Sequence, residues 1–216
     1  MTLSDLRAQL RSRRIDDVPA PQRWTDAELN DYLNEAEREA AIRTRCLVDS
    51  QTFTVTLADG VRLYDVDPLV IEITRVQDLD RVLAKTSVHE LDQRKWWDRL
   101  GPPTHWYMDS WNQLGVYRLP TATEAGTILE LTVIRKPFND MTDDADEPEI
   151  PEHFHDGLLD WAEYLAFMKN DADTYKPDRA NAALARFEAG FGPRPSANIL
   201  TQRARRPVQR VRGQYI

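Results

Sequence analysis

The sequence has almost no cysteine and no long apolar run. Cys46 is its single cysteine, so no disulfide can form within one chain, which favours a reducing compartment. The longest apolar run is Tyr164 to Met168, far short of the roughly 20 residues that cross a bilayer. Four arginines interrupt any signal-like N-terminal segment: Arg7, Arg11, Arg13 and Arg14. We therefore expect a soluble, intracellular protein that makes no membrane contact.

The sequence also lacks a catalytic or phosphate-binding motif: there is no HExxH pair, nucleophile elbow or glycine-rich phosphate loop. His153 and His155 are two residues apart, so on a helix they point to different faces, unlike the four-residue spacing of two metal ligands. The acidic run from Asp143 to Glu149 lacks the glycine and the terminal glutamate of a calcium loop. We expect no catalytic residue, no cofactor and no metal, and we interpret the acidic run as a solvated loop.

Charge is unevenly distributed along a chain whose net charge is −8. Residues 138–152 contain no Lys or Arg but seven carboxylates: Asp140, Asp143, Asp144, Asp146, Glu147, Glu149 and Glu152. No acidic residue follows Glu188, whereas six arginines do: Arg194, Arg203, Arg205, Arg206, Arg210 and Arg212. Nucleic-acid binding depends on neutralising phosphates with basic side chains. The acidic body is therefore unsuited to wrapping nucleic acid, and only the basic tail is a candidate contact.

The clearest helix signal lies in residues 24–45. Thr25 and Glu28 have the spacing of a capping box, and Trp24 and Leu29 that of a hydrophobic staple, so we expect a helix from Asp26. An apolar stripe recurs at three- and four-residue steps: Leu29, Tyr32, Leu33, Ala36 and Ala40. Because most helical stability comes from packing of such a stripe, this helix needs partners elsewhere in the chain.

Three further helices are predicted from the same kind of pattern. Leu3, Leu6 and Leu10 indicate a short N-terminal helix that ends before Pro19 and Pro21. A longer helix over residues 152–169 has an apolar stripe of Phe154, Leu158, Trp161, Leu165 and Met168, widened by Leu159, Ala162 and Ala166. The last begins at Pro177, buries Ala180, Leu184 and Phe187, and is stopped by Gly190 and Gly192.

Between these helices the period changes to two, which is typical of strands. Residues 53–57 alternate, and the turn at Ala58-Asp59-Gly60 leads into residues 61–66, so we expect a hairpin. A strand over 70–76, a short helix over 89–99 that is capped by Ser87 and Glu90, and three strands within 104–137 complete this region.

These patterns predict an α+β fold: a helical bundle with an inserted, mostly antiparallel β-module and an extended C-terminal tail. The expected boundaries are an N-terminal arm helix at 1–21, the bundle at 22–50 and 138–192, the β-module at 51–137 and a basic extended tail at 193–216.

Several aromatic residues occur close together in the β-module: Trp96, Trp97, Trp106, Tyr107 and Trp111. Such a group can stack on bases or sugars. Because Arg and Lys are not interleaved along those strands, a core or a protein interface is the better interpretation.

Five stretches occur in a distinctive order and spacing across roughly residues 24 to 170: WTDAELNDYLNEAEREAAIR, LYDVDPLVIEITRV, GPPTHWYMD, YRLPTATEAGTILELTVIRKP and IPEHFHDGLLDWAEYLAF. Together they resemble the head-to-tail adaptor (connector) proteins of tailed bacteriophages, in the branch with a β-module inserted in a helical bundle. The resemblance implies a non-enzymatic virion protein that is made in the host cytoplasm. It would form a dodecameric ring in the neck, between the portal protein and the tail or nozzle proteins, around a channel for DNA.

The basic tail is not covered by these stretches, and we expect it to thread into the portal or a neighbouring subunit. Its arginines would pair with carboxylates and its apolar end would anchor it; the proposed contact residues are Arg203, Arg205, Arg206, Arg210, Arg212, Tyr215 and Ile216. The alternative function is a nucleic-acid-binding regulatory protein that uses its basic termini. A third class, a small hydrolase or lectin-like enzyme, has no residue to support it.

Overall fold

The computed structural model describes residues 1–79, 81–92, 96–110, 112–196 and 198–199. The chain forms two compact units. The first consists of Met1–Leu47 and Arg135–Arg194, and the second contains Val48–Ile134 together with the described residues that follow Arg194. The first unit is built from helices, and the second holds a curled sheet. The predicted α+β class is confirmed.

The helices begin and end at residues suited to those positions. They are α1 at Leu3–Gln9, which continues as a π-helical turn at Leu10–Ile15, α2 at Asp26–Thr44, α3 at Val88–Asp92, α4 at His155–Met168 after a 3-10 turn at Glu152–Phe154, and α5 at Pro177–Phe191. The predicted capping box of α2 is present: the Glu28 amide donates to Thr25 Oγ1 at 3.2 Å, and the Thr25 amide donates to Glu28 Oε2 at 2.8 Å. Helix α5 continues through Gly190 and ends at Gly192, whose φ of 81° is readily adopted only by glycine.

The helices of the first unit share one apolar core. The fully buried side chains of α2 include Leu29, Leu33 and Ala36, which belong to the same cluster as residues of α4 and α5. Trp24 is buried at the start of α2, and its Nε1 donates to the carbonyl of Ala166 on α4 at 3.2 Å. The N-terminal helix, expected as a separate arm, contributes Leu3, Leu6 and Leu10 to this core.

The buried face of α4 differs in part from the predicted stripe. Phe167 is fully buried and packs edge-on against the ring of Trp24, with centroids 6.0 Å apart. Met168, which was expected on the stripe, is 40% exposed. The residues that widened the predicted stripe, Leu159, Ala162 and Ala166, are fully buried. The buried face of α4 is therefore centred on their side of the helix, next to Phe167.

The second unit is organised around an eight-stranded sheet. Its strands are β1 at Val48–Asp49, β2 at Thr54–Thr56, β3 at Leu63–Asp65, β4 at Val70–Gln77, β5 at Val82–Lys85, β6 at His105–Ser110, β7 at Gln113–Tyr117 and β8 at Ile128–Arg135. The order is β1-β8-β4-β5-β6-β7-β3, and β2 also pairs with β8. The strand pairs with a determined register are antiparallel apart from β5 with β6, which are parallel.

The predicted hairpin of residues 53–66 is wrong. The turn exists, since the Val61 amide donates to the Ala58 carbonyl at 3.2 Å. However, β2 pairs with β8, with Val55 opposite Leu129, and β3 pairs with β7, with Tyr64 opposite Leu114. Side-chain alternation identifies a strand and its buried face but does not identify its pairing partner.

Two other details of the sheet region differ from expectation. Helix α3 begins with the predicted cap, in which the Glu90 amide donates to Ser87 Oγ at 3.2 Å. Its described part runs to Asp92, and the described residues from Trp96 to Arg99 form a turn, so the helix does not extend to Arg99 as predicted. Strand β5 was missed, because its four residues are too few to show a period.

A buried ion pair joins the N-terminal segment to the start of α2. The Arg11 side chain is 8% exposed, and its guanidinium contacts Asp17 at 2.5 Å and Asp26 at 2.6 Å. The Asp17 carboxylate, 3% exposed, also accepts from the Arg23 amide at 2.8 Å. The Asp26 side chain is 60% exposed, so water screens its attraction to Arg11 and this contact contributes little to stability.

We predict that Asp17→Ala lowers the free energy of unfolding by about 3–5 kcal/mol, because it leaves the buried Arg11 charge without its enclosed partner. The matched variant Asp26→Ala should cost about 1 kcal/mol or less, since that carboxylate lies in water. Urea denaturation of both variants measures the difference. Equal losses would contradict the role assigned to Asp17.

Candidate functional site

The predicted tail contacts lie outside the described residues, so the structure neither brings them together nor separates them. They are Arg203, Arg205, Arg206, Arg210, Arg212, Tyr215 and Ile216, and their role stays a prediction. The first arginine of the basic segment is described. Arg194 Nε lies 3.5 Å from Glu39 Oε1 on α2, and the Glu39 side chain is only 6% exposed.

Arg43 of α2 fixes the same basic segment at Gly192, two residues before Arg194. Its guanidinium lies over the rings of Trp161 and Phe187, at 5.1 and 4.9 Å from their centroids, and the two rings contact each other with centroids 5.0 Å apart. It contacts Glu39 at 2.9 Å and donates to the carbonyl of Gly192 at 2.9 Å. Because the Arg43 side chain is 3% exposed, these charged hydrogen bonds form away from water, where they are stronger. The point at which the basic segment leaves α5 is therefore held against α2.

Helix α2 also holds the acidic loop that precedes α4. The Asn34 side chain donates to the Met141 carbonyl at 3.0 Å and accepts from the Met141 amide at 2.8 Å. Arg38 pairs with Asp140, and Arg7 on α1 contacts Asp144 at 2.8 Å. The loop is thus anchored through its backbone and some of its carboxylates.

The remaining carboxylates of this loop face water. Asp143, Glu147 and Glu152 are exposed, so they give this part of the first unit a negative surface. Amide donors from Thr142 and Asp143, each 2.8 Å from Asp146, lower the pKa of the Asp146 carboxyl. Asp146 therefore keeps its charge to a lower pH than an ordinary aspartate does.

Glu37 is an unusual group in this arrangement, since it is 2% exposed. The Glu149 amide donates to Glu37 Oε1 at 2.6 Å, and the Ile150 amide also faces this carboxylate. Burial nevertheless raises the pKa of Glu37 to about 7, and the nearby negative charges of Glu149 and Asp140 act in the same direction. This residue titrates where most carboxylates are already ionised.

The sequence did not reveal Asn34 and Glu37 as structural contacts, because neither belongs to the apolar stripe from which the buried face of α2 was predicted. Its position one turn after the buried Leu33, and next to the buried Ala36, was the available signal. A charged residue bordering an apolar stripe is buried only when another segment covers it, and that segment lies over a hundred positions away in sequence.

His153 and His155 diverge, as the two-residue spacing predicts. The His155 ring is buried, with Nε2–H donating to the Ile150 carbonyl at 2.9 Å and Nδ1 facing the N-terminal amine of Met1 at 3.1 Å. His153 is exposed and lies against the ring of Phe154. Within the described ranges, no group of three or more His, Cys, Asp or Glu side chains could hold a metal ion.

Three of the clustered aromatics of the second unit belong to its core. Trp96, Trp106 and Tyr107 are buried, and Trp97 is 51% exposed; Trp111 lies outside the described residues. The Tyr107 ring covers Gly115, where a Cβ atom would lie 2.2 Å from it. Arg and Lys were not found along these strands in the sequence, but a neighbouring segment supplies one. The Arg62 guanidinium stacks on the Trp96 ring, 4.4 Å from its centroid.

A family model described as SU10 adaptor protein matches residues 1–212 of the chain. The chain belongs to this family of phage head-to-tail adaptors. A search of curated proteins found no match.

Membership of this adaptor family establishes the general role of the protein. The protein is a bacteriophage adaptor with a structural role in the virion, and it interacts with other phage head or tail proteins. Such a family is not typically enzymatic. In the part of the chain that the structure describes, no helix combines the length and hydropathy needed to span a membrane.

The raised pKa of Glu37 predicts a pH dependence of stability. In the unfolded chain this carboxyl titrates near its ordinary value of 4.5, whereas in the folded chain it titrates at about 7. The folded state therefore binds the proton more tightly, and the stability that this gives is complete below about pH 4.5 and lost as pH rises through about 7.

We expect wild-type protein to lose up to about 3 kcal/mol of unfolding free energy from this group between pH 4.5 and pH 8. Glu37→Gln should remove most of that slope, while the exposed neighbour Glu147→Gln should retain it. Urea titrations at several pH values measure both. A wild-type slope that survives unchanged in Glu37→Gln would assign the effect to another group.

Proposed function

We propose that this protein is a ring-forming head-to-tail adaptor that connects the portal to the tail and surrounds the DNA channel in the neck of the virion. The observation that carries the proposal is the family match over residues 1–212. A dodecamer is the ring size that the resemblance implies. The partners would be other copies of the chain, the portal protein, and tail or nozzle proteins.

A ring of identical subunits needs two different surfaces on each copy that fit one another. The described residues offer surfaces of contrasting character. The acidic loop carries the exposed Asp143 and Glu147, and the basic segment begins at Arg194. Opposite charges on distinct parts of one chain favour head-to-tail contact between copies.

The overall charge suits a protein that DNA passes without being held. With a net charge of −8, the body repels phosphates on average. Many arginines of the first unit are also engaged in ion pairs, such as Arg186 with Asp160 and Glu163 at 2.8 and 2.5 Å. Such arginines hold the subunit together and leave less positive charge to bind a nucleic acid.

The proposed role of the C-terminal tail is to contact the portal or an adjacent subunit. Arginines at 203, 205, 206, 210 and 212 would pair with carboxylates, and Tyr215 and Ile216 would anchor the end. Arg43 of α2 donates to the Gly192 carbonyl, and Arg194 contacts Glu39 of α2. These contacts support the role, because they give the segment a fixed starting point. A tethered segment binds a nearby site at a high effective concentration.

Static light scattering tests the proposed assembly directly. We expect the purified protein mixed with its cognate portal to form one discrete complex with many adaptor copies per portal, even if the free protein is monomeric. The same measurement on the free protein shows whether a ring precedes docking.

The outcome that would refute the adaptor proposal is a monomer that ignores the portal and binds duplex DNA. Affinity that falls steeply as salt rises would then favour the nucleic-acid-binding alternative, since release of condensed counterions has that signature.

Deleting residues 196–216 should abolish portal binding without changing the fold, because no described core residue lies in that segment. Co-sedimentation with the portal measures binding, and far-UV circular dichroism with a thermal melt checks the fold. As a matched control, conversion of the five tail arginines to lysine keeps the charge and should weaken binding less than the deletion does. Undiminished binding by the deletion variant would show that the tail is dispensable.

A further inference from the structure

The second unit exposes several large apolar side chains in one region. Val61 and Leu63, at and beside β3, are 38% and 40% exposed, and Trp97 and Leu100 are 51% and 62% exposed. We call these four residues the β3 patch. Isolated apolar residues on a surface are ordinary, but a group of them marks a site of contact.

Hydrogen bonds hold the members of the β3 patch on one framework. The Arg62 guanidinium lies over Trp96 and donates to the Trp97 carbonyl at 2.9 Å, which joins the β3 side of the patch to the turn after α3. Leu100 forms an isolated β-bridge with Leu119. The Gly60 amide donates to the carbonyl of Pro120, the residue after Leu119, at 3.0 Å. Both halves of the patch are therefore fixed to the segment that follows β7.

Strand β3 is the last strand in the sheet order, so one of its edges has no partner strand within the described ranges. The Val116 amide donates to the Arg62 carbonyl at 3.1 Å, and the Val66 amide donates to the Asn112 carbonyl at 2.8 Å. Alternation in an antiparallel pair then directs the backbone groups of Leu63 and Asp65 away from β7. An edge of this kind can add an extended segment as a further strand.

Exposed carboxylates outnumber exposed cations beside the β3 patch. Asp59, Asp65 and Asp98 are exposed, and so is Arg99, between Asp98 and Leu100. An extended segment that binds here should combine apolar side chains with basic ones and should contain no carboxylate side chain.

One segment of the chain has this composition. Residues 200–216 contain five arginines, no acidic residue, and the apolar side chains Val208, Val211, Tyr215 and Ile216. The 22 residues that follow Arg194, to Ile216, span up to about 70 Å when fully extended.

We infer that the β3 patch and the free edge of β3 are the docking site for the C-terminal tail of a neighbouring copy of this chain. The inference rests on the proposed ring, whose subunit contact it specifies. The tail adds backbone hydrogen bonds at Leu63 and Asp65, covers the β3 patch with its apolar side chains, and places its arginines beside Asp59 and Asp98.

Disulfide trapping between two differently marked chains tests this inference. Both full-length chains carry Cys46→Ser, one also carries Leu100→Cys, and the other carries Tyr215→Cys and a size tag. The matched control replaces Leu100→Cys with Leu79→Cys, because Leu79 is 95% exposed and lies in the turn between β4 and β5. Leu100 and Leu79 are exposed, so their substitution leaves the core intact. Cys46 is half-buried, and serine is close to cysteine in size. Mixed and oxidised samples are compared on non-reducing gels, and light scattering with and without the portal is recorded on the same preparations.

We expect at least ten times more mixed disulfide dimer with Leu100→Cys than with Leu79→Cys, in preparations that assemble. A multi-copy assembly that yields equal or no mixed dimer would overturn the docking site and leave the ring proposal standing. Chains that stay monomeric with and without the portal would overturn the ring and the docking site together.

Discussion

The architecture depends on one antiparallel pairing at the point where the chain passes between its two units. The Arg135 amide donates to the Leu47 carbonyl at 3.0 Å, and Val48 and Asp49 lie opposite Ile134 and Val133. A module can be inserted into a helical unit only if the two ends of the module are close together. This short antiparallel ladder holds them together. Residues 1–47 and 135–194 can then build one core although 87 residues separate them in sequence.

Helix α2 is the second organising element, because its buried and half-buried polar groups hold the acidic loop and the start of the basic segment. Asn34 and Glu37 bind the backbone of the acidic loop, and Glu39 and Arg43 bind the start of the basic segment. The acidic loop and the basic segment are the two most strongly charged parts of the chain. One helix thus fixes both at their bases, which is a suitable arrangement for a structural virion protein that must meet several partners.

Local signals predicted much of this fold. The start of α2, the capped start of α3, the proline at the start of α5 and the strands β6, β7 and β8 each depend on neighbouring residues, and each is found. The pairing of β2 with β8 could not be predicted from the sequence, because Val55 and Leu129 are brought together by the whole sheet. The burial of Glu37 could not be predicted either, since the amides that it binds belong to a loop distant in sequence. The proposed tail contacts depend on a partner, which a single sequence does not specify.

The inserted arrangement also constrains how the protein is made. Trp24 receives its hydrogen-bonding partner from Ala166, 142 residues later, and the Met1 amine meets His155, 154 residues later. During synthesis α1 and α2 leave the ribosome before α4, so their leucines can pack against α4 only after the entire sheet has been translated. The sheet, whose strands are contiguous in sequence, can fold during that interval. Closure of the helical core therefore depends on contacts of high sequence separation, which are the kind that slow folding.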